Sequence, residues 1–171
     1  MNTKELPSQA ELRELFWYKD GALVWKPRPP ITQYDRRHNK HVAGMVAGCT
    51  DGRGYIVVRF GGITYKAHSL IYQHHYGECP PIIDHINRDP SDNRIENLRP
   101  ATNSESQANR RSLNPSGFKC VRERGGRFVA EIKLRGKLKH LGSFDTPEEA
   151  SVAYMNAARQ QWGEFATGAM K

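Results

Sequence analysis

The sequence has few cysteines and no long apolar run. Its three cysteines, Cys49, Cys79 and Cys120, stand far apart and form no C-x-x-C pair, the spacing that zinc ribbons and redox dithiols usually show. We therefore expect neither a structural zinc site nor a disulfide scaffold. No stretch of about 18 apolar residues is present, so no membrane-spanning helix is predicted.

Acidic residues are also in short supply. The chain has 18 Asp and Glu against 26 Lys and Arg, a net charge of +8. The imbalance is local, because residues 107–140 contain ten basic and two acidic side chains, which accounts for the whole net charge. A concentrated basic segment favours a polyanionic partner.

The first residues, MNTKELPSQAELRE, are polar and acidic. A secretory signal would begin with basic residues and continue with an apolar segment. We therefore expect a cytoplasmic or nucleoid-associated protein.

Local patterns predict the elements of the N-terminal part. Ser8 and Glu11 form a capping box before an apolar stripe, which predicts a short helix. The DG at residues 20–21 and the GG at residues 61–62 predict the turns of two β-hairpins. Residues 27–41 contain three prolines and a basic cluster with few apolar residues, and we expect a loop or arm there that contacts phosphate.

The C-terminal part shows strand and then helix periodicity. Phe128, Ala130, Ile132 and Leu134 alternate with Val129, Glu131 and Lys133, which predicts a half-buried strand. With flanking glycine turns, residues 117–144 are predicted to form a three-stranded antiparallel sheet. Thr146-Pro147 begins a helix whose apolar stripe packs on that sheet. The predicted domains are 1–111 and 117–166, joined by a linker at 112–116.

The central segment carries the residues suited to catalysis. Asp84 and His85 lie side by side in a short predicted strand, where neighbouring side chains point to opposite faces. One can therefore bind a divalent metal while the other faces a water molecule. The loop that follows is rich in side chains that cap turns and orient an imidazole: Asn87, Asp89, Asp92, Asn93 and Asn97.

The central segment and the residues on either side of it resemble a known protein family. The segments AHSLIYQHHYGECPP (67–81), IDHIN (83–87) and DNRIENLRPAT (92–102) resemble the HNH endonucleases, in their phage and intron-encoded homing branch. The resemblance implies a ββα-metal fold that hydrolyses DNA to a 3′-hydroxyl and a 5′-phosphate. It implies His85 as general base, Asp84 as ligand of one Mg²⁺ or Mn²⁺ ion per site, and Asn97 as the residue that holds the His85 ring. His68 matches a family position just before a short helix, and both packing beside the site and a catalytic role are open for it.

The sequence departs from this family at one ligand position. The second protein ligand is usually an Asn or His on the helix after Thr102, and here that position is Ser106. A neutral hydroxyl is a poorer ligand for a hard cation than an amide oxygen. Asn103 and Asn109 lie one turn away on either side, about 5 Å along the axis, so neither replaces Ser106 easily.

A second resemblance covers residues 117–166. The segments FVAEI, HLGSFDTPEEA and AYMNAA followed by GEFA resemble the DNA-binding domain of plant ethylene-response factors, also called the APETALA-type domain. That family places three strands in the major groove. By position it implicates seven basic residues: Arg122, Arg124, Arg127, Lys133, Arg135, Lys137 and Lys139. Cys120 stands where a glycine is usual.

Together these features predict an α+β protein, a ββα-metal HNH nuclease domain followed by a three-stranded sheet packed on one helix. Its function is expected to be metal-dependent cleavage of double-stranded DNA, by a monomer without a small-molecule cofactor, in a bacterial or phage-infected cell. The alternative is a non-cleaving DNA-binding regulator whose HNH site is weakened by Ser106.

Overall fold

The computed structural model describes residues 5–111 and 114–167. Residues 112 and 113 of the predicted linker lie outside this part. The helices are α1 (Gln9–Leu15), α2 (Gln33–His41), α3 (Ala67–Tyr76), α4 (Asn103–Asn109) and α5 (Pro147–Trp162). The strands are β1 (Phe16–Lys19), β2 (Ala22–Trp25), β3 (Cys49–Thr50), β4 (Ile56–Phe60), β5 (Ile63–Lys66), β6 (Ile83–His85), β7 (Leu98–Pro100), β8 (Val121–Arg124), β9 (Arg127–Leu134) and β10 (Lys137–Phe144).

The arrangement is α+β, as the sequence predicts, with small antiparallel sheets of two or three strands. The chain forms two compact units, Met1–Pro100 and Ala101–Lys171. This division assigns α4 to the second unit, whereas the sequence predicts the linker after it, at residues 112–116. Each helix within residues 5–111 and 114–167 is too short or too polar to cross a bilayer.

The first unit is built on α1, α3 and two hairpins. Both sides of the Ser8–Glu11 capping box form at the start of α1, as predicted. The buried side chains of Leu12, Phe16 and Leu70 belong to one core with residues from β2, β4 and β5. The predicted hairpins are confirmed as β1–β2 and β4–β5, and β3 adds a third strand to the second one.

The prediction of a loop over residues 27–41 is correct for residues 27–32 and wrong for the rest, because Gln33–His41 form α2. Thr32 caps the helix through the backbone N–H of Asp35, and the Asp35 carboxylate accepts from Thr32 in return. None of its residues is fully buried. The helix lacks the apolar stripe that signals a helix in a sequence, which explains the error.

The second unit contains the predicted three-stranded sheet, in the order β10–β9–β8. Helix α5 packs on it, and Ala130, Ile132, Ala150 and Tyr154 are buried between them. Helix α4 contacts α5 and the short 3-10 turn at Gly163–Phe165. Helix α4, which the sequence analysis assigns to the nuclease domain, therefore packs within the second unit.

Candidate active site

Strands β6 and β7 hold the two predicted catalytic side chains in a short antiparallel pair. Asp84 lies opposite Arg99 and His85 lies opposite Leu98. Both Asp84 and His85 are buried, each with 7% of its surface exposed. The Arg99 Nε donates to Asp84 Oδ2 at 3.0 Å. The carboxylate is thus held by a buried cross-strand ion pair that includes a residue the sequence analysis did not single out.

The His85 ring is held by an amide from the loop that follows β6. His85 Nε2 lies 3.1 Å from Asn93 Oδ1, and Asn93 Nδ2 donates to the Ser91 carbonyl at 3.2 Å. The second bond fixes which end of the Asn93 amide faces the ring. Because the oxygen faces Nε2, this nitrogen carries the proton, and in a neutral imidazole the lone pair is then on Nδ1.

Asn97, which the family resemblance implicates in holding the His85 ring, makes its side-chain hydrogen bonds within the loop. Its Oδ1 accepts from the Asn87 N–H at 3.0 Å, and its Nδ2 donates to Asn87 Oδ1 and to the Asp92 carbonyl at 3.0 and 2.7 Å. Its own N–H and carbonyl also bond within the loop, to Arg94 and Ile86. Asn97 therefore ties the two ends of the loop together, and Asn93 holds the His85 ring.

The loop is further fixed by ionised carboxylates. Arg94 donates to both oxygens of Asp92, and this lowers the Asp92 pKa to about 2. Hydrogen bonds from Ser91 lower the pKa of Asp89 in the same way. The β1–β2 hairpin supports this segment, because Ile95 N–H donates to the Tyr18 hydroxyl at 3.0 Å.

Close packing at the β1–β2 turn explains Gly21. Its φ of 84° is left-handed, and an added Cβ would lie 2.7 Å from the Arg94 nitrogen. A side chain at this position would strain the turn and displace the loop that orients His85.

Two more aromatic rings pack near His85. The ring of His68 lies edge-on to that of His85 with centroids 5.2 Å apart, and the Tyr55 ring is 6.0 Å from His85. Burial, and then the nearby charges of His85 and Lys66, lower the His68 pKa from 6.5 to about 4. Its Nδ1 has no hydrogen-bond partner among the described residues. His68 therefore lies against His85 with an imidazole that is neutral at neutral pH.

The metal-binding candidates are distributed over both units. Asp84 belongs to the first unit, and Ser106 lies in α4, where it is half-buried. Of the two possible substitutes, Asn103 begins α4, and buried Asn109 accepts from the Thr167 hydroxyl. Within residues 5–111 and 114–167, no three His, Cys, Asp or Glu side chains form a cluster able to hold a metal ion.

Residues of the C-terminal unit hold the helix that carries Ser106. The Lys119 ammonium donates to the carbonyls of Gln107, Ala108 and Arg110 at 2.8, 2.5 and 3.0 Å. The Trp162 indole donates to Ser104 Oγ at 2.8 Å. The C-terminal end of α4 is thus capped by a lysine outside the helix.

The β8–β9–β10 sheet separates the seven predicted DNA-binding residues. Residues paired across the sheet point to the same face, and α5 covers the face that contains Ala130 and Ile132. The opposite, outer face contains the basic side chains of Arg122, Arg124, Arg127 and Lys133. Arg135 lies in the β9–β10 turn with a φ of 48°.

Lys137 and Lys139 have the other orientation. They pair with Leu134 and Ile132, so they belong to the helix side of the sheet, where both remain exposed. Their places on the outer face are taken by Leu138 and His140, which pair with Lys133 and Glu131. The two-residue turn at 135–136 determines which residues of β10 face outward. Counting from this turn in the sequence would have placed Leu138 and His140 on the outer face.

The structure also shows why a glycine suits position 120, where this chain has a cysteine. Its φ is 57°, in the left-handed region that favours glycine. The resembled family's preference for glycine there is consistent with this backbone conformation.

Two comparisons match parts of this chain to known proteins. Residues 65–108 match the HNH endonuclease family. The ethylene-responsive transcription factor ERF117 of Arabidopsis thaliana is 43% identical over 70 residues, which cover 39% of this chain. The chain spans only 21% of that transcription factor's length. No solved structure matches the chain.

Proposed function

Because residues 65–108 carry an HNH endonuclease domain and the chain has a partial homologue among ethylene-responsive factors, we propose that the protein is a metal-dependent DNA endonuclease of the homing type. His85 is its general base, and the C-terminal sheet adds DNA binding. The observation that carries the proposal is the bond from His85 Nε2 to Asn93 Oδ1. The proposed setting is the cytoplasm of a bacterial or phage-infected cell.

The environment of His85 suits proton abstraction from water. A general base needs a defined tautomer and a fixed ring. Asn93 provides the first by accepting from Nε2, which leaves the lone pair on Nδ1. The packed rings of His68 and Tyr55 limit rotation of the imidazole. Because its pKa is lowered to about 4, His68 places no positive charge beside the base at neutral pH.

Asp84 fits a single hard cation with an open coordination sphere. Mg²⁺ is commonly held by one or two carboxylates and retains waters and phosphate oxygens as other ligands. Asp84 would supply the carboxylate, and the family resemblance adds Ser106 from α4. When bound, such an ion would neutralise charge on the scissile phosphate and polarise it. Arg99, bonded to Oδ2, fixes the direction of the carboxylate.

The outer face of the C-terminal sheet is the proposed DNA contact of the second unit. Arg122, Arg124, Arg127 and Lys133 are exposed on it. Exposed Lys and Arg bind phosphates and give affinity that depends strongly on salt. Leu138 is 64% exposed on the same face, where an apolar side chain can contact a thymine methyl group.

The second candidate is a non-cleaving DNA-binding regulator. Ser106 favours it, because a hydroxyl stands where the family places a stronger ligand. Plasmid relaxation with Mg²⁺ or Mn²⁺ separates the two functions. The endonuclease converts supercoiled plasmid to nicked or linear DNA with the ion and is stopped by EDTA, whereas the regulator shifts the plasmid's mobility in both conditions and leaves it intact.

A further inference from the structure

Helix α2 presents a basic face that neither the candidate active site nor the C-terminal sheet uses. It also lies outside the family match at residues 65–108. Successive helical residues are about 100° apart, and on this spacing one side of α2 contains every residue of the helix that is exposed. These are Gln33, Tyr34, Arg36, Arg37, Lys40 and His41.

The opposite side of α2 is anchored to the first unit. His38 Nε2 lies 3.0 Å from the Lys26 carbonyl, and its ring lies edge-on to Trp25 at 5.7 Å. The Asn39 amide both accepts from the Arg28 N–H and donates to the Arg28 carbonyl, each at 2.7 Å. These contacts fix the rotation of the helix, so its basic side is held toward solvent.

Acidic charge does not offset this basic face. Residues 26–41 contain five Lys and Arg and one acidic residue, Asp35. The Asp35 carboxylate accepts from the Thr32 N–H and hydroxyl at the helix start, and these bonds lower its pKa. Asp35 is thus used in capping, and Arg36, Arg37 and Lys40 dominate the exposed side.

We propose that this face of α2 binds the phosphate backbone of double-stranded DNA, in addition to the contact proposed for the C-terminal sheet. The proposal rests on the proposed function, which makes DNA the partner. A membrane surface fits less well, because an interfacial helix needs a broad apolar face and Tyr34 is the one large apolar side chain on the exposed side of α2. Phosphate contacts of this kind carry no sequence information and orient the protein on the duplex.

The test compares two triple variants of the full chain for DNA binding in EDTA over a range of salt. In the first, Arg36, Arg37 and Lys40 are changed to Gln, a good helix former. The matched control changes Lys19, Arg53 and Arg59 to Gln, which removes the same charge from exposed positions of the same unit. At about 0.9 per phosphate contact, we expect the α2 variant to reduce the slope of log K against log salt by about 2.7. The control is expected to retain most of the wild-type slope.

Other results of this binding experiment would overturn the proposed role of α2. An α2 variant with the wild-type affinity and slope overturns this inference and leaves the proposed function standing, and so does a control that loses as much as the α2 variant. A wild-type chain that binds no DNA overturns both. Binding to anionic phosphatidylglycerol vesicles that the α2 variant loses, while its DNA binding is unchanged, assigns the face to membranes and overturns the inference. Circular dichroism monitors folding, and Lys40→Glu, a single change, repeats the test if the triple variant unfolds.

Discussion

Lys119 caps α4 within the second unit, so the helix that carries Ser106 depends on a residue beyond the predicted nuclease domain. Helix α4 has seven residues, and helices this short are unstable alone in water. Its last carbonyls have no partners within the helix. Lys119 donates to three carbonyls at and just after this end, those of Gln107, Ala108 and Arg110. A Lys119→Met variant would keep the apolar stem and remove all three bonds.

The expected cost follows from the exposure of these bonds. A hydrogen bond to a charged group contributes about 1.5–3 kcal/mol when water cannot replace it. Two of the three bonds are exposed and one is partly buried, so water can satisfy most of the released carbonyls. We therefore expect α4 to lose about 1–2 kcal/mol of local stability, which corresponds to roughly 5–30-fold more frequent opening.

Hydrogen exchange of the amides in residues 106–109, from the first N–H that bonds to a backbone carbonyl of this helix turn, measures this directly. They should exchange roughly 5–30-fold faster in Lys119→Met than in the wild type. Lys133→Met is the matched control, since Lys133 is exposed on the sheet, and it should leave α4 unchanged. Wild-type exchange of α4 in Lys119→Met, or equal acceleration in the control, would refute the capping argument. The same contacts imply that a chain ending at Arg111 loses the support of α4, so activity should be tested on the full chain.

Three further predictions concern pH, metal and salt. Because the folded-state pKa of His68 is about 4, below its ordinary 6.5, the unfolded chain binds more protons between these values. The contribution of neutral His68 to the free energy of unfolding is therefore complete above pH 6.5 and falls by up to about 3 kcal/mol as the pH drops to 4. Urea unfolding of His68→Phe should show a weaker loss over this range, and an unchanged pH profile contradicts the assignment. Ser106→Asn should lower the Mg²⁺ concentration needed for cleavage and leave metal-free DNA affinity unchanged; an identical Mg²⁺ titration removes Ser106 from the ligand set. Changing the four basic residues of the outer sheet face to Gln should reduce the salt slope by about 3.6, whereas changing Lys137 and Lys139 should reduce it less, and equal loss per charge contradicts the assignment of faces.

Local signals predicted the parts of the fold that local chemistry determines. The Ser8–Glu11 capping box and the two glycine-containing turns each act within a few residues. Helix α2 was not predictable in the same way, because its inward contacts are made by His38 and Asn39 with residues 25–28. Contacts made by polar side chains produce no apolar periodicity in the sequence, so the pattern could not predict this helix.

The candidate site likewise combines features that the sequence motif predicts with features that depend on how the chain folds. The strand position of Asp84 and His85 follows from the motif, whereas the amide that reaches the His85 ring depends on the path of the loop. The Asp92–Arg94 ion pair and the bonds of Asn97 determine that path, and they bring Asn93 to the ring. The Arg99 partner of Asp84 depends on the β6–β7 register, which becomes apparent only when the two strands are paired.

The rate of DNA cleavage by His85→Ala under single-turnover conditions tests the central claim most directly. A positioned general base contributes roughly 10²–10⁴-fold to the rate. We expect a loss of this size at saturating Mg²⁺, with the DNA affinity measured in EDTA unchanged. Cleavage by His85→Ala at the wild-type rate would contradict the assignment of His85 as the general base.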